Sequence, residues 1–490
     1  MANPSHPASE SAGSPPGPLV AAFWQALGTS SPTERLAVHP SDEMLAFLVD
    51  QHRGDRDQAL AHYLRSGHAI ADAYLQIIRW HFGTGYSEDV GASVDSLLDF
   101  ASGFGRVTRF LVESIPAERV WVSDLYDEGV AFQRKTLGVQ GFPSTVDPKE
   151  FHCEERFDVI LATSLFSHLR ADRFQGWLDR LASLLTERGL LIFSVHDASL
   201  LPPDQKLPPE GIAFRPISES SSHDGDDYGS AWVSEAFVRQ AVGQTTPLGE
   251  GHRLVRLPRG LCNFQDLYVA ARGPRGPLSS PGDSTFEGDP HFFLESCDVL
   301  PGGRLRLTGW AAAATSALTA GDSRSPPKNS SASGGASLEV WLGGEVWGSC
   351  AVDLDRPEAA AFTGTWRCGW ALEGSLPEGF RPTDPLVIRL LTADHRRSHI
   401  VHIATVLASS LGCCEERLRW LQEELHRRES RWAAERDAAD RRHGAEVAAA
   451  SEETRQLSAR LAAMEASRFW KLRNAWFTFK RRFGLAGGGR

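Results

Sequence analysis

The sequence predicts an α/β domain followed by a small β-sandwich and a long C-terminal helix, and three stretches carry that prediction. Residues Leu97 to Leu111 read L-L-D-F-A-S-G-F-G-R-V-T-R-F-L, an apolar strand that runs through a Gly-x-Gly turn into a helix. Beyond Gly288 the apolar residues alternate with period two, as in half-buried strands. From Leu411 to Met464 they recur three and four apart, the spacing of a helix face.

In the first stretch the glycines let the backbone turn sharply and approach a ligand closely, and the helix after them offers its free N–H groups to an anionic group. Trp121-Val122-Ser123-Asp124 reads as a second strand ending in a carboxylate about 20 residues on, where a ribose hydroxyl pair is held. A dinucleotide fingerprint wants a third glycine three residues after the second. Thr108 stands there, which weakens a nicotinamide-dependent oxidoreductase reading.

Further elements follow in order. Phe157 to Ala162 reads as a fourth strand, followed by Thr163-Ser164-Leu165-Phe166-Ser167-His168-Leu169. Trp177 to Leu185 is a helix, Glu187-Arg188-Gly189 a turn, and Leu190 to His196 a fifth strand. This set, across roughly Ala59 to Gly273, resembles the class I S-adenosylmethionine-dependent methyltransferases, with motif I in the variant D-F-x-x-G-x-G-R and the S-L-F-[ST]-H-L run of some bacterial members. Ala101 stands where many members have Gly.

The resemblance implies a Rossmann-like fold, S-adenosyl-L-methionine as cofactor, and a cofactor site built from Asp99, Ala101, Gly103, Gly105, Asp124, Leu125, Asp147 and Thr163. Asp99 is expected to touch the cofactor's amino group directly or through water, the alternative being a strand-end cap. Asp124 is expected to hold the ribose, while Asp147 either approaches the adenine or is a turn residue before Pro148. In similar enzymes helices before the first strand cap the cofactor. Tyr63 and Gly67 resemble a Tyr-x-x-x-Gly pair that lies beside it, a packed helix residue being the other reading of Tyr63.

Methyl transfer from a sulfonium is an in-line displacement, so it needs alignment above all, plus a base if the acceptor is a hydroxyl. His168 follows the fourth strand at the cleft edge and is the first base candidate, with hydrogen bonding within the fold as its alternative. His196, at the end of the fifth strand, is the second. Glu219, His223 and Tyr228, in the irregular Pro- and Ser-rich stretch Asp197 to Tyr228, are candidates to read acceptor hydroxyls.

Composition narrows the rest. At 490 residues the chain has room for about three domains. Its net charge of −11 argues against nucleic acid as the general partner, and no apolar run nears the roughly 20 residues that span a bilayer. Without a signal-peptide pattern the cytoplasm is the expected compartment. Seven cysteines show no C-x-x-C spacing, so neither a disulfide framework nor a metal site is expected.

The expected layout is a disordered N-terminus (1–40), the methyltransferase domain (41–273) as a unit that folds alone, a linker (274–290), a β-sandwich (291–408), a coiled coil (409–465) and a basic amphipathic tail (466–490). Strands are predicted at Arg304 to Trp310, Ser337 to Leu342, Leu386 to Leu391 and His399 to Ile403. The short motifs G-W-A (Gly309 to Ala311), D-R-P (Asp355 to Pro357) and C-G-W (Cys368 to Trp370) resemble a β-module of bacterial glycosyltransferases and surface-polysaccharide enzymes. The seam from Leu411 onward implies self-association through a coiled coil of about 80 Å, a solvated single helix being the alternative. In Ser467 to Leu485, aromatic residues at helical spacing share the segment with six Lys or Arg and no acid, which fits a helix lying on an anionic membrane surface or packing on a partner helix.

Taken together these readings imply a methyltransferase for a hydroxyl of a glycan, lipid-linked sugar or related small molecule, working in the cytoplasm and peripherally at the inner face of the cell membrane. The alternative is a non-catalytic methyltransferase-like scaffold or assembly protein in a surface-polysaccharide pathway.

Overall fold

The structure, a computed structural model, describes residues 16–28, 37–82, 90–202, 205–216, 228–273, 287–315, 336–363, 365–392 and 398–482. It divides into two compact units, residues 1–413 and 414–490.

The first unit opens with three helices, α1 (Pro18–Ala26), α2 (Glu43–Gln51) and α3 (Arg56–Phe82). α2 and α3 precede the first strand, where the resemblance placed helices. α1 corrects the expectation of disorder over residues 1–40: Leu19, Val20, Phe23 and Trp24 are buried, and Asp57 on α3 accepts the Leu19 N–H at 2.9 Å. Nine residues cannot hold a helix alone, so only the tertiary contact makes this one. Residues 1–15 and 29–36 of that expectation lie outside the described residues.

Next come β1 (Leu97–Phe100), α4 (Thr108–Leu111), β2 (Val120–Asp124), α5 (Asp127–Leu137), β3 (Gln140–Pro143), β4 (Phe157–Ala162), α6 (Ala171–Ser183) and β5 (Leu185–Asp197). β6 (Ile212–Arg215), β7 (Ser230–Val233), α7 (Glu235–Gln244), β8 (Arg253–Leu261) and β9 (Gln265–Ala271) complete the α/β part. Among the described residues these strands form a nine-stranded sheet ordered β3-β2-β1-β4-β5-β7-β6, with β9 antiparallel to β5 and β8 beside β9. Strands β3, β2, β1, β4 and β5 run parallel, which gives the Rossmann-like arrangement that the resemblance implied, and the antiparallel β9 makes the sheet mixed. Glu187 to Gly189, expected as a turn, instead bulges within β5, where the register on β4 jumps from Phe157↔Leu185 to Val159↔Leu190. The stretch Asp197 to Tyr228, expected to be irregular, contains β6; residues 203–204 and 217–227 of it are outside the described residues.

Each central strand is buried on both faces, as parallel sheets require. Leu97, Val159, Leu161, Leu190 and Ile192 face α1, α2 and α3, while Leu98, Phe100, Ile160, Leu191 and Phe193 face α6 and α7.

The β-module follows with β10 (Glu287–Leu300), β11 (Arg304–Thr315), β12 (Ser337–Leu342), β13 (Glu345–Ala351), β14 (Leu354–Asp355), the short helix α8 (Ala360–Thr363), β15 (Arg367–Ser375), β16 (Pro385–Leu391) and β17 (Ser398–Thr405). Two antiparallel sheets result, ordered β10-β11-β15-β14 and β13-β12-β16-β17. The first strand begins at Glu287, inside the stretch expected as linker; residues 274–286 are outside the described residues. Leu305, Leu307, Leu338, Val340, Trp370, Leu386, Ile388 and Leu390 fill the space between the sheets.

The module does not stand apart. Between Leu386 and Ile388, Val387 points the other way, and with Ile400 it joins the core formed by α1 and α3. Arg389 donates to the Ala26 carbonyl at the end of α1 (3.1 Å), and Arg65 on α3 donates to the Val401 carbonyl (2.6 Å). Strands β16 and β17 thus bury residues on both faces, and the expectation that residues 41–273 form a separate unit is corrected: residues 1–413 are one compact body.

A helix, α9 (Val406–Ala466), leads into the second unit, and α10 (Arg468–Arg482) follows it. The predicted seam residues Leu411, Leu418, Leu425 and Trp432 are exposed on α9, and no residue of α10 is buried. No helix among the described residues is long and apolar enough to cross a membrane.

Candidate functional site

Parallel register brings the C-terminal ends of the central strands together. Phe100 of β1 lies opposite Ser123 of β2 on one side and Ala162 of β4 on the other. Strand order reverses at β1, so the loops leaving β1 and β4 diverge and open a crevice. A cavity of about 500 Å³ fills it, within the range that takes a nucleoside-sized ligand.

The loop after β1 forms the floor. Ala101, Gly103 and Gly105 all adopt left-handed backbone, with φ of +60°, +56° and +80°. For glycine that conformation is free; for Ala101 it is strained by about 1–2 kcal/mol. Asp124 at the end of β2 pins the loop by accepting the Gly103 N–H at 2.7 Å and the Tyr126 N–H at 3.1 Å. Arg109, almost fully buried, donates to the carbonyls of Gly105 (2.9 Å) and Ala37 (3.1 Å) from behind. Gly67 on α3 has no room for a side chain, because a Cβ there would collide with the Arg106 carbonyl. Asp99 lies beneath the loop, 1% exposed, and burial followed by the neighbouring Asp124 charge pushes its carboxyl up to about 7 despite the Thr108 hydroxyl beside it.

The opposite end is built by a polar cluster on β4, β5 and β9. Ser164 follows β4 with φ +58°; its N–H donates to Ser194 Oγ (2.7 Å) and its hydroxyl to Gln265 Oε1 (3.0 Å). Gln265 also accepts from Ser194 (2.7 Å), and its Nε2 lies 3.2 Å from His196 Nε2. An amide nitrogen donates, so His196 Nε2 is the acceptor and the proton of the neutral ring sits on Nδ1. Burial lowers the His196 pKa, which keeps that ring neutral. His168 is oriented the same way: Nδ1 lies 2.6 Å from the Gly229 carbonyl, which only accepts, so the neutral ring presents a basic Nε2. Its ring stacks on Tyr228 at 4.5 Å and lies 6.1 Å from His196.

Of the residues that the sequence singled out, Asp99, Ala101, Gly103, Asp124, Leu125, Thr163, His168, His196 and Tyr228 line this one cavity. Three do not. Gly105 turns the loop behind it, where a Cβ would come within 2.9 Å of Gln133. Asp147 points to Arg173 (2.9 Å) and accepts the Lys149 N–H (2.9 Å), and both hold its carboxyl below the ordinary range; its neighbours Ser144, Thr145 and Val146 line the cavity in its place. Tyr63 is completely buried and donates to Asp42 Oδ2 at 2.6 Å, so it positions Asp42, which lines the cavity and caps α2 through the Leu45 N–H (3.0 Å). Glu219 and His223 are outside the described residues.

Asp42, Arg106, Ser164, Phe264 and Gln265 line the site without having been singled out by sequence. Asp42 carried a detectable signal, an N-cap residue just before an apolar helix. Gln265 carried none, since it reaches the site only because β9 pairs antiparallel with β5.

Residues 98–191 match the family model described as a methyltransferase domain, for which the expected methyl donor is S-adenosylmethionine. The cavity suits that donor: Asp42, Glu43, Asp99 and Asp124 line it against Arg106, a carboxylate-rich set for a ligand bearing a sulfonium and an ammonium group. No curated protein matches the chain. Among solved structures, the amino pentose methyltransferase CalS10 from Micromonospora echinaspora, with S-adenosylmethionine bound, is 14% identical, the match covering 46% of this chain and 96% of that one at a TM-score of 0.31. DesVI from Streptomyces venezuelae is 14% identical over 47% of this chain and 98% of its own, TM-score 0.33. The sugar N-methyltransferase KedS8 from a Streptoalloteichus species is 14% identical over 50% and 98%, TM-score 0.33.

Proposed function

We propose that this chain methylates a hydroxyl group of a glycan, a lipid-linked sugar or a related small molecule. The observation that carries the reading is His168 at the cavity, its basic Nε2 set by the hydrogen bond at Nδ1, with the second imidazole, His196, 6.1 Å away. An amine acceptor needs no base once neutral, whereas a hydroxyl gains from one within hydrogen-bond reach.

When bound, S-adenosylmethionine supplies an electrophilic methyl group on a positively charged sulfur. The chain's own residues do the rest. Asp124 and the glycine loop fix the donor end, Ala101 and Gly103 bringing the backbone to the cavity surface. His168 Nε2 takes the hydroxyl proton as the acceptor oxygen attacks, and the Gly229 carbonyl steadies the imidazolium through Nδ1–H. His196 is the second candidate for the base, a role that requires its Nε2 to exchange the Gln265 hydrogen bond for the acceptor hydroxyl. Phe264 and Tyr228 give the acceptor end aromatic surfaces, which suit a sugar face.

Two features outside the cavity support a lipid-linked acceptor and assembly at a membrane. α10 exposes Phe469, Leu472, Trp476, Phe477 and Phe479 and carries six basic residues without an acid, a composition that binds an anionic bilayer surface. The exposed seam of α9 supports self-association as a coiled coil. The enzyme then works peripherally at the inner membrane face.

Incubation of the purified chain with radiolabelled S-adenosylmethionine and fractionated native-cell extracts tests the reading. Label should enter a glycan or lipid-linked fraction as an ether stable to mild base. Label only in amines or carboxyl esters would refute hydroxyl transfer, and cofactor binding without turnover in any fraction would favour the non-catalytic scaffold.

A further inference from the structure

A hydroxyl carries one hydrogen, and at Thr108 two acceptors compete for it. Thr108 Oγ1 lies 2.7 Å from Asp99 Oδ2 and 2.8 Å from Gln133 Oε1. The orientation of the Gln133 amide is set at its other end, where Nε2 donates to Ser102 Oγ and to the Gly103 carbonyl, both at 2.9 Å. Turning the amide over would press two oxygens together at Gly103. Oε1 can therefore only accept, and both contacts are filled at once only when Thr108 donates to Oε1 and Asp99 itself carries a hydrogen.

The surroundings favour the acid form. Asp99 is 1% exposed, with Asp124 on β2, Arg106 on the glycine loop and Tyr74 on α3 as the ionisable groups facing it. Asp124 has two backbone N–H donors and is the ionised member of the pair. A second charge beside it in a desolvated site is unfavourable, as for other close carboxylates. Burial and Asp124 outweigh Arg106 and push Asp99 up to about 7. The bonds then run in one direction, from Asp99 to Thr108, Gln133 and the Gly103 carbonyl.

We propose that Asp99 is protonated in the cofactor-free protein and releases that proton to solvent when S-adenosylmethionine binds, so that cofactor capture is linked to pH. This rests on the methyl-donor reading of the cavity. Positive charge entering beside Asp99 and Asp124 favours a second carboxylate. The bond broken is Asp99 O–H, nothing is oxidised or reduced, and the Thr108 hydrogen turns from Gln133 to the new carboxylate.

Calorimetry at about pH 6 in buffers of different ionisation enthalpy reads the release directly. Close to one proton should leave per cofactor bound, falling toward none by about pH 8.5, and the dissociation constant should rise about tenfold from pH 8 to pH 6. Asp99→Asn, whose amide can donate to Thr108 as the acid does, should bind without releasing a proton. Separately, the ligand-free protein should show a protonated carboxyl that titrates near neutrality by carbon-13 NMR and is missing in Asp99→Asn. Buffer-independent heat, equal release from the variant, or an Asp99 signal in the ordinary carboxylate range would each overturn the proposal. Failure of any binding would refute the methyl-donor reading and the linked release with it, while the ligand-free titration still decides the Asp99 proton.

Discussion

Arg65 on α3 donates to the Val401 carbonyl on β17 at 2.6 Å, across 336 positions of sequence. The next two residues of α3 brace the cofactor loop: Ser66 Oγ accepts from Arg106 at 3.3 Å, and Gly67 lies against the Arg106 backbone. One turn of α3 thus joins the β-sandwich to the glycine loop, which makes the module part of the cofactor site's support.

It follows that residues 1–413 should be soluble, melt cooperatively and bind S-adenosylmethionine, whereas residues 41–273 alone should aggregate or melt far lower. The shorter piece uncovers the core that Val387, Ile400 and α1 complete. Arg65→Ala should cost about 1.5–3 kcal/mol, the usual worth of a hydrogen bond from a charged group. Thermal denaturation checks both, and full stability of residues 41–273 would show the sheet contact to be dispensable.

Asp124→Ala removes the acceptor of two backbone N–H groups and the expected ribose ligand, at roughly 1.5–3 kcal/mol per charge-assisted bond. A tenfold or larger loss in S-adenosylmethionine affinity is expected by calorimetry. Gly103→Arg should abolish binding with the fold intact, because Gly103 lines the cavity and nothing lies within 4 Å of a Cβ there, so the added side chain enters the ligand space.

Ala101 invites the opposite experiment. Its φ of +60° strains an alanine and suits a glycine. Ala101→Gly should raise stability by up to about 1 kcal/mol, the relieved strain exceeding the added freedom of the unfolded chain. A lower melting temperature would mean that the Ala101 methyl contributes packing that outweighs its strain.

Methyl transfer should have an acid limb. His196 is neutral because burial lowers its pKa, so its loss by protonation falls below the ordinary histidine value of about 6.5. His168→Ala should cut turnover by about 10²–10⁴-fold with cofactor affinity unchanged, the range for a general base. Turnover that is independent of pH between about 5 and 8 in the wild type would exclude a base that titrates as an ordinary imidazole, near about 6.5.

The tail makes a separate claim. The full chain should float with anionic liposomes and lose that behaviour in high salt or without residues 467–490, since each basic residue contributes about 1 kcal/mol at such a surface. Equal flotation of the truncated chain would remove the membrane role of α10. Salt-independent dimerisation lost with the same residues would assign its aromatic face to a partner helix.

The order of strands, the glycine loop and the carboxylate ending β2 were legible in sequence because they are local: period-two and apolar runs, a Gly-x-Gly turn and an acid about 20 residues on. Eight of the singled-out residues, Asp99 through His196, meet in one cavity for the same reason, each lying at or near the C-terminal end of a parallel strand, and Tyr228 joins them from the segment that enters β7. What depends on contacts between distant segments was not legible. α1 looks disordered until Asp57 caps it and the sandwich covers it. Val387 looks like part of a sandwich core until α1 and α3 are placed on the sheet's other face. Tyr63 and Asp147 have the right chemistry for the site, but Asp42 and Arg173 hold them away from it. Gln265 joins it only through antiparallel pairing, and the proton on Asp99 follows from Gln133, on a different element, competing with Asp99 for the one hydrogen of Thr108. Periodicity reports which face of an element is apolar; only the folded chain decides what that face meets, and hydrogen bonds between segments are set there.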